Sequence, residues 1–246
     1  MKRYEILDTI RGVTVVSMVL YHTMWDLVYL YGMKLRWYES SAAYICQQSI
    51  CWTFILLSGF CFPMGRRKLK RSLTVFAAGL IVTLVTAAFV PDSRVIFGVL
   101  TLLGSSMLIM TALDRAAVRV RPCAGLMISL LLFFLLRDVN EGYLGFEILH
   151  LCVLPKSWYQ NPATTYLGFP YRTFFSTDYF SLLPWFFLFT AGYYLYHLMR
   201  ERNWLIMLEK AKSVRPLSFI GRHSLEIYLI HQPVITVILN VLSHLA

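Results

Sequence analysis

The chain has 246 residues, 58% of them hydrophobic and only 15% charged, and a mean hydropathy of +0.60. A soluble domain of this length would carry far more charge. The formal net charge of +10 sits in short loops between apolar runs. That distribution excludes a nucleic-acid face and belongs to a polytopic α-helical membrane protein.

The N-terminus has Lys2 and Arg3 ahead of an apolar run from Val13 to Tyr31. Asp8 and Arg11 interrupt its start, and no small-residue cleavage site follows, so the run is expected to be a retained first helix rather than a leader. On a helix, Met18, Val15, Arg11 and Asp8 lie four, seven, eleven and fourteen residues behind His22, and Asp26 four ahead. All fall within about 40° of His22 on one face. Ionisable residues in such a run are costly and mark a functional site. Asp8 and Arg11, three apart, can also simply pair. His22 lies roughly 16 Å along the axis beyond Arg11, past the midpoint on the outer side, one turn from Asp26. A carboxylate partner would fix its tautomer and raise its basicity, as a general base requires.

About seven spans are expected: Thr9 to Leu30, Ala42 to Met64, Leu73 to Val90, Val95 to Leu113, Cys123 to Leu136, Tyr179 to Met199, and Leu225 to Leu245. Gly145 to Leu154 is a candidate re-entrant or interfacial helix. With the N-terminus inside, most Lys and Arg fall on the cytoplasmic side. Only Lys34, Arg36, Arg94, Arg137, Lys156 and Arg172 lie outside. The bias alternates correctly for an odd number of spans and places the C-terminus outside. The expected fold is an all-α transmembrane bundle forming one domain over residues 1–246. The long outer loop from Arg137 to Asp178 carries Trp158, Tyr159, Tyr166, Phe169 and Tyr171, aromatics suited to anchoring at the membrane interface or to stacking on a sugar.

Ser58 and Gly59 interrupt the second span, Gly98 and Gly104 the fourth, and Gly192 the sixth, where small residues imply close helix packing. Asp178 opens the sixth span as a cap or as a carboxylate at the outer mouth of a site. In the last span Pro233 breaks a helical hydrogen bond. His231 and Gln232 would sit at the resulting kink, in the inner half of the membrane. Arg222 and His223 stand at its cytoplasmic end, where they could hold a phosphate or, for the arginine, simply snorkel. Cys46, Cys51, Cys61 and Cys123 lie in apolar segments and Cys152 in a predicted loop, without disulfide or zinc spacing. The histidines are scattered, so no metal is expected.

Taken together, Leu7-Asp8-Thr9-Ile10-Arg11-Gly12 with Met18 and Tyr21-His22 resembles the first-helix signature of membrane-bound acyltransferases. It is most similar to bacterial relatives of the heparan-alpha-glucosaminide N-acetyltransferase catalytic domain. Phe54 to Gly59, Phe97 to Leu100, Asp178 to Trp185, Ala191 to Tyr194, Gly221 to Leu225 and Tyr228 to Pro233 fit the same resemblance in order.

The resemblance implies transfer of an acetyl group from cytoplasmic acetyl-CoA to an amine or hydroxyl of an extracytoplasmic sugar or glycan. On that basis His22 is the general base, oriented by Asp26 or Asp178. Asp8, Arg11, Ser58, Arg66, Arg67, Arg115, Arg222, His223, His231 and Gln232 are the candidates for contact with acetyl-CoA, the arginines for its phosphates. The chain departs from the family in two respects. The loop from Gly32 to Ser41 has no histidine, and the spans are fewer, which makes this a compact version compatible with a homodimer. A bacterial cytoplasmic membrane is the expected location, with lipid as a partner. The alternative is a transporter of small solutes or lipids that uses the same His, Asp and Arg as a relay.

Overall fold

A computed structural model of the protein describes residues 4–147 and 149–245; Lys2 and Arg3, counted above toward orientation, lie outside the described residues. The elements run α1 (Glu5–Tyr29), α2 (Ser41–Cys61), α3 (Lys68–Phe89), α4 (Val99–Ala117), α5 (Pro122–Leu135), β1 (Tyr143–Phe146), β2 (Leu149–Val153), α6 (Pro162–Leu167), α7 (Leu182–Glu201), α8 (Leu205–Lys210), α9 (Arg215–Arg222) and α10 (Ser224–Leu245). Each of the seven expected spans coincides with one of the long helices. Four helical stretches among the described residues are long and apolar enough to cross a membrane: Ser41–Met64, Lys68–Phe89, Val99–Ala117 and Ser224–His244. Helix α5 is apolar but only 14 residues long.

Apolar side chains point outward from these helices. Leu80, Ile81, Leu84 and Phe89 on α3 are exposed, as are Met127, Ile128 and Leu131 on α5 and Ile230, Val237 and Val241 on α10. Helices with apolar outer faces and polar groups inside suit a lipid surround.

Two sequence expectations need correction. Gly145 to Leu154 is not a helix. Tyr143–Phe146 and Leu149–Val153 pair as an antiparallel hairpin, with Tyr143 opposite Val153 and an irregularity between Leu144 and Gly145. Gly145 has φ +149°, which no helix uses and which only glycine adopts readily. The aromatic and β-branched residues around it favour strand over helix. The fold is therefore mostly helical rather than all-α, and Cys152 lies on β2, not in a loop. The fourth span also starts later than expected. Phe97 takes a positive φ of 57°, and Gly98 is the N-cap of α4, so this glycine precedes the helix instead of interrupting it.

The chain divides into two compact units. One comprises residues 1–54 and 203–246, the other 55–202, the boundary falling within α2. In the first unit α1 packs against α9 and α10. Gly12 and Gly221 let the first two approach, since a Cβ on Gly12 would collide with the Leu217 carbonyl and one on Gly221 with the Asp8 carbonyl. The Thr9 and Ser218 hydroxyls bond across the contact at 2.7 Å. In the second unit Gly59 and Gly192 do the same for α2 and α7, against the carbonyls of Phe189 and Leu56, and Gly104 admits the Phe76 backbone against α4. The close packing expected of these three glycines is observed.

Candidate functional site

The first unit builds a polar site from α1 and α10. Asp8, Val15, Met18 and Asp26 of the expected stripe are all buried, so the face that carries His22 turns inward as the periodicity requires. Helix α10 continues through Pro233 and runs in the same direction as α1. The direction is fixed by three contacts: His231 on His22, Gln232 on Asp26 and Asn240 on Tyr31.

His231 Nε2 lies 3.1 Å from His22 Nδ1, and the two rings meet edge to face with centroids 4.9 Å apart. His231 Nδ1 is 2.6 Å from the Tyr228 carbonyl oxygen. Beside them Gln232 Nε2 donates to both carboxylate oxygens of Asp26, at 2.8 and 2.9 Å. Asp26 and His231 are buried, whereas His22 is half-buried. The site thus holds one accessible imidazole backed by an inaccessible one. Two expectations change. The carboxylate expected to orient His22 is bonded to Gln232, and the histidine bonds to His231. His22 and His231 were also expected in opposite halves of the membrane, yet they touch. The reason is that α9 lies against the first turns of α1, with Ser218 on Thr9 and Gly221 on Asp8. Helix α10 therefore begins already part-way along α1.

Tyr38, in the turn after α1, closes over this region. It is buried, and its ring lies 5.1 Å from that of Tyr21 and 6.0 Å from that of Tyr29. Burial pushes its phenol above the ordinary value, as do neighbouring Tyr21, Tyr29 and Asp26, so it stays a neutral hydroxyl. Sequence reasoning missed Tyr38 because it lies outside any periodic segment.

At the other end of this unit Asp8 and Arg11 form an ion pair at 3.1 Å, the local pairing weighed above. Arg222 and His223 are exposed at the turn between α9 and α10. The Arg222 Nε donates to the Ser218 carbonyl at 3.2 Å, and the His223 ring rests on Phe219 at 4.8 Å.

The second unit holds the remaining candidates. Arg66, Arg67 and Arg115 are exposed and Ser58 is half-buried. Asp178 does not cap α7, whose N-cap is Ser181; it lies upstream, near Gly98. This unit also contains a polar cluster that the sequence did not announce. Lys68 Nζ bonds Asp114 Oδ2 at 2.6 Å, the Tyr193 hydroxyl donates to Asp114 Oδ1 at 3.0 Å, and the His197 ring lies 4.5 Å from that of Tyr193. Lys68 also stands 5.0 Å from the Phe62 ring centre. Asp114 thus ties α3, α4 and α7 together. The only signal was a lone acidic residue, Asp114, beside Arg115 at the end of an apolar run. Among the described residues no three His, Cys, Asp or Glu side chains gather as a metal site would require.

Comparison with known proteins gives one finding. The family model of the heparan-alpha-glucosaminide N-acetyltransferase catalytic domain matches residues 3–233. No curated protein and no solved structure matches the chain.

Proposed function

The chain belongs to the heparan-alpha-glucosaminide N-acetyltransferase catalytic-domain family, and from that premise we propose that it carries an acetyl group from cytoplasmic acetyl-CoA to an amine or hydroxyl of an extracytoplasmic sugar or glycan. The family is one of membrane-bound acetyltransferases, and the matched residues run through both units. That extent supports one acyltransferase domain across 1–246 in a bacterial cytoplasmic membrane. The parallel course of α1 and α10 supports opposite sides for their C-terminal and N-terminal ends. It therefore agrees with an odd number of spans; a cytoplasmic N-terminus and an extracytoplasmic C-terminus rest on the distribution of Lys and Arg.

The observation that carries the proposal is the half-buried His22, seated on buried His231. His22 takes the proton of the acceptor's amine or hydroxyl as the acceptor attacks the thioester carbon. The carbon–sulfur bond then breaks, and the thiolate leaves with a proton returned from the imidazolium. Asp26, held by Gln232, is the acidic group beside the site, and Asp178 is the acidic candidate of the second unit. The fit to the donor rests on exposed arginines. Arg222 and Arg115 are exposed at ends of helices, and Arg66 and Arg67 lie in the turn before α3. All have guanidinium groups able to bind phosphate. Arg11 is already paired with Asp8, so phosphate binding there would compete with that carboxylate. Asp8, His223 and Gln232 of the first unit and Ser58 of the second are the remaining polar candidates for the donor, whereas His231 is buried behind His22 and out of its reach.

The test uses purified protein in lipid nanodiscs, labelled acetyl-CoA and an amino-sugar acceptor. Wild type should transfer the label, and His22→Ala should lose at least about 10²-fold in rate while acetyl-CoA still raises its melting temperature. Arg222→Ala should weaken that thermal stabilisation. Failure of acetyl-CoA to stabilise wild type, together with solute flux in proteoliposomes, would replace this proposal with the transporter alternative.

A further inference from the structure

Two contacts in the first unit run in a fixed direction and end on a single nitrogen. A carbonyl oxygen only accepts, so His231 Nδ1, 2.6 Å from the Tyr228 carbonyl, carries a hydrogen. A neutral His231 then has its lone pair on Nε2, 3.1 Å from His22 Nδ1. His22 Nδ1 must be the donor in that contact, which leaves the His22 lone pair on Nε2, on the far side of the ring. The opposite arrangement needs a doubly protonated His231. That would bury a cation among apolar helices, His231 being buried.

Resting on the reading of His22 as general base, we infer that His231 is a positioning residue that holds His22 in the Nδ1–H tautomer, so that Nε2 is the atom that takes the acceptor's proton. The burial of His231 keeps it from substrate. It acts only through His22, much as a second group orients the base in other base-assisted transfers. When Nε2 takes the proton, the His22 imidazolium still donates Nδ1–H to His231 Nε2, and that hydrogen bond strengthens as the charge appears. The proton then passes from Nε2 to the departing thiolate, and His22 returns to its starting tautomer with His231 unchanged.

Isotope-labelled histidine in the detergent-solubilised protein reads the tautomer directly. The His22 signals are identified by their loss in His22→Ala. In wild type, His22 Nε2 should show the shift of an unprotonated ring nitrogen and Nδ1 that of a protonated one. In His231→Phe the His22 tautomers should mix, and kcat should fall by roughly 10²-fold with the KM for acetyl-CoA nearly unchanged. In His231→Gln, whose amide oxygen can accept the Nδ1 hydrogen, the wild-type tautomer and most of kcat should return. A protonated His22 Nε2 in wild type, or an unchanged tautomer in His231→Phe, overturns the inference. If His231→Phe does not fold, the wild-type spectrum alone decides. Wild type with the expected tautomer but no acetyl transfer would uphold the assignment and strike instead at the acyltransferase proposal.

Discussion

At the residue scale, the first-helix stripe was legible because it depends only on helical period. Asp8, Arg11, Val15, Met18, His22 and Asp26 repeat at spacings that put them on one face, and that face is the one turned inward. The partner of His22 was not legible. His231 lies 209 positions away in the chain, and no local pattern encodes which distant helix will supply a contact. Asp138 illustrates the same limit. It follows α5, is buried, and its Oδ2 has no hydrogen-bond partner. Burial, then the nearby Glu141, raises its carboxyl above the ordinary 3.8, partly offset by Arg137. For an acid whose folded-state value is raised, the native protein holds its proton when the unfolded chain has lost it. Stability therefore falls as pH rises from the ordinary aspartate range through the raised folded value. Asp138→Asn should remove this fall: melting curves in detergent should show the variant gaining on wild type as pH rises above the ordinary aspartate range. A constant difference over that rise would show that Asp138 is not the group responsible.

At the element scale, the seven long apolar helices were legible, because each had length and polar flanks to define it, whereas the short helices α6, α8 and α9 had neither. The hairpin after α5 was not, because short apolar runs of β-formers and of helix-formers look alike until a residue such as Gly145 excludes one of them. The glycines of the quoted motifs, Gly12 and Gly221, proved to be places where one backbone passes close to another. Replacement of either by alanine drives a methyl group into a carbonyl, and neither neighbour is a flexible side-chain end. Gly12→Ala and Gly221→Ala should each cost about 1–3 kcal/mol through overpacking, seen as a lower melting temperature in detergent. Val13→Ala, one residue along on an exposed face, should change it little. Equal melting temperatures for Gly12→Ala and Val13→Ala would refute the contact. Asp114 shows an element-scale bond of a different kind. One carboxylate accepts from Lys68 on α3 and Tyr193 on α7, so three helices share a single acidic anchor.

At the scale of the whole molecule, the proposed orientation, with the two ends of the chain on opposite sides, rests on the charge bias and on the parallel course of α1 and α10. Alkaline phosphatase fused after residue 245 should be active outside the cell, and the same enzyme fused after Glu201 should be inactive, in assays on intact bacteria. An active Glu201 fusion would reverse the proposed orientation. The family model matches residues in both units, and the ordered short motifs, each weak alone, are spread over the same stretch. One consequence concerns biosynthesis. Helix α1 leaves the ribosome about 200 residues before α10, yet among the described residues the side chains of His22 and Asp26 bond to His231 and Gln232 on α10. Until α10 is made, the nascent chain must therefore keep an acidic group and an imidazole in α1 without their native partners. Insertion of α10 is then the event that both finishes the site and relieves α1 of its exposed polarity.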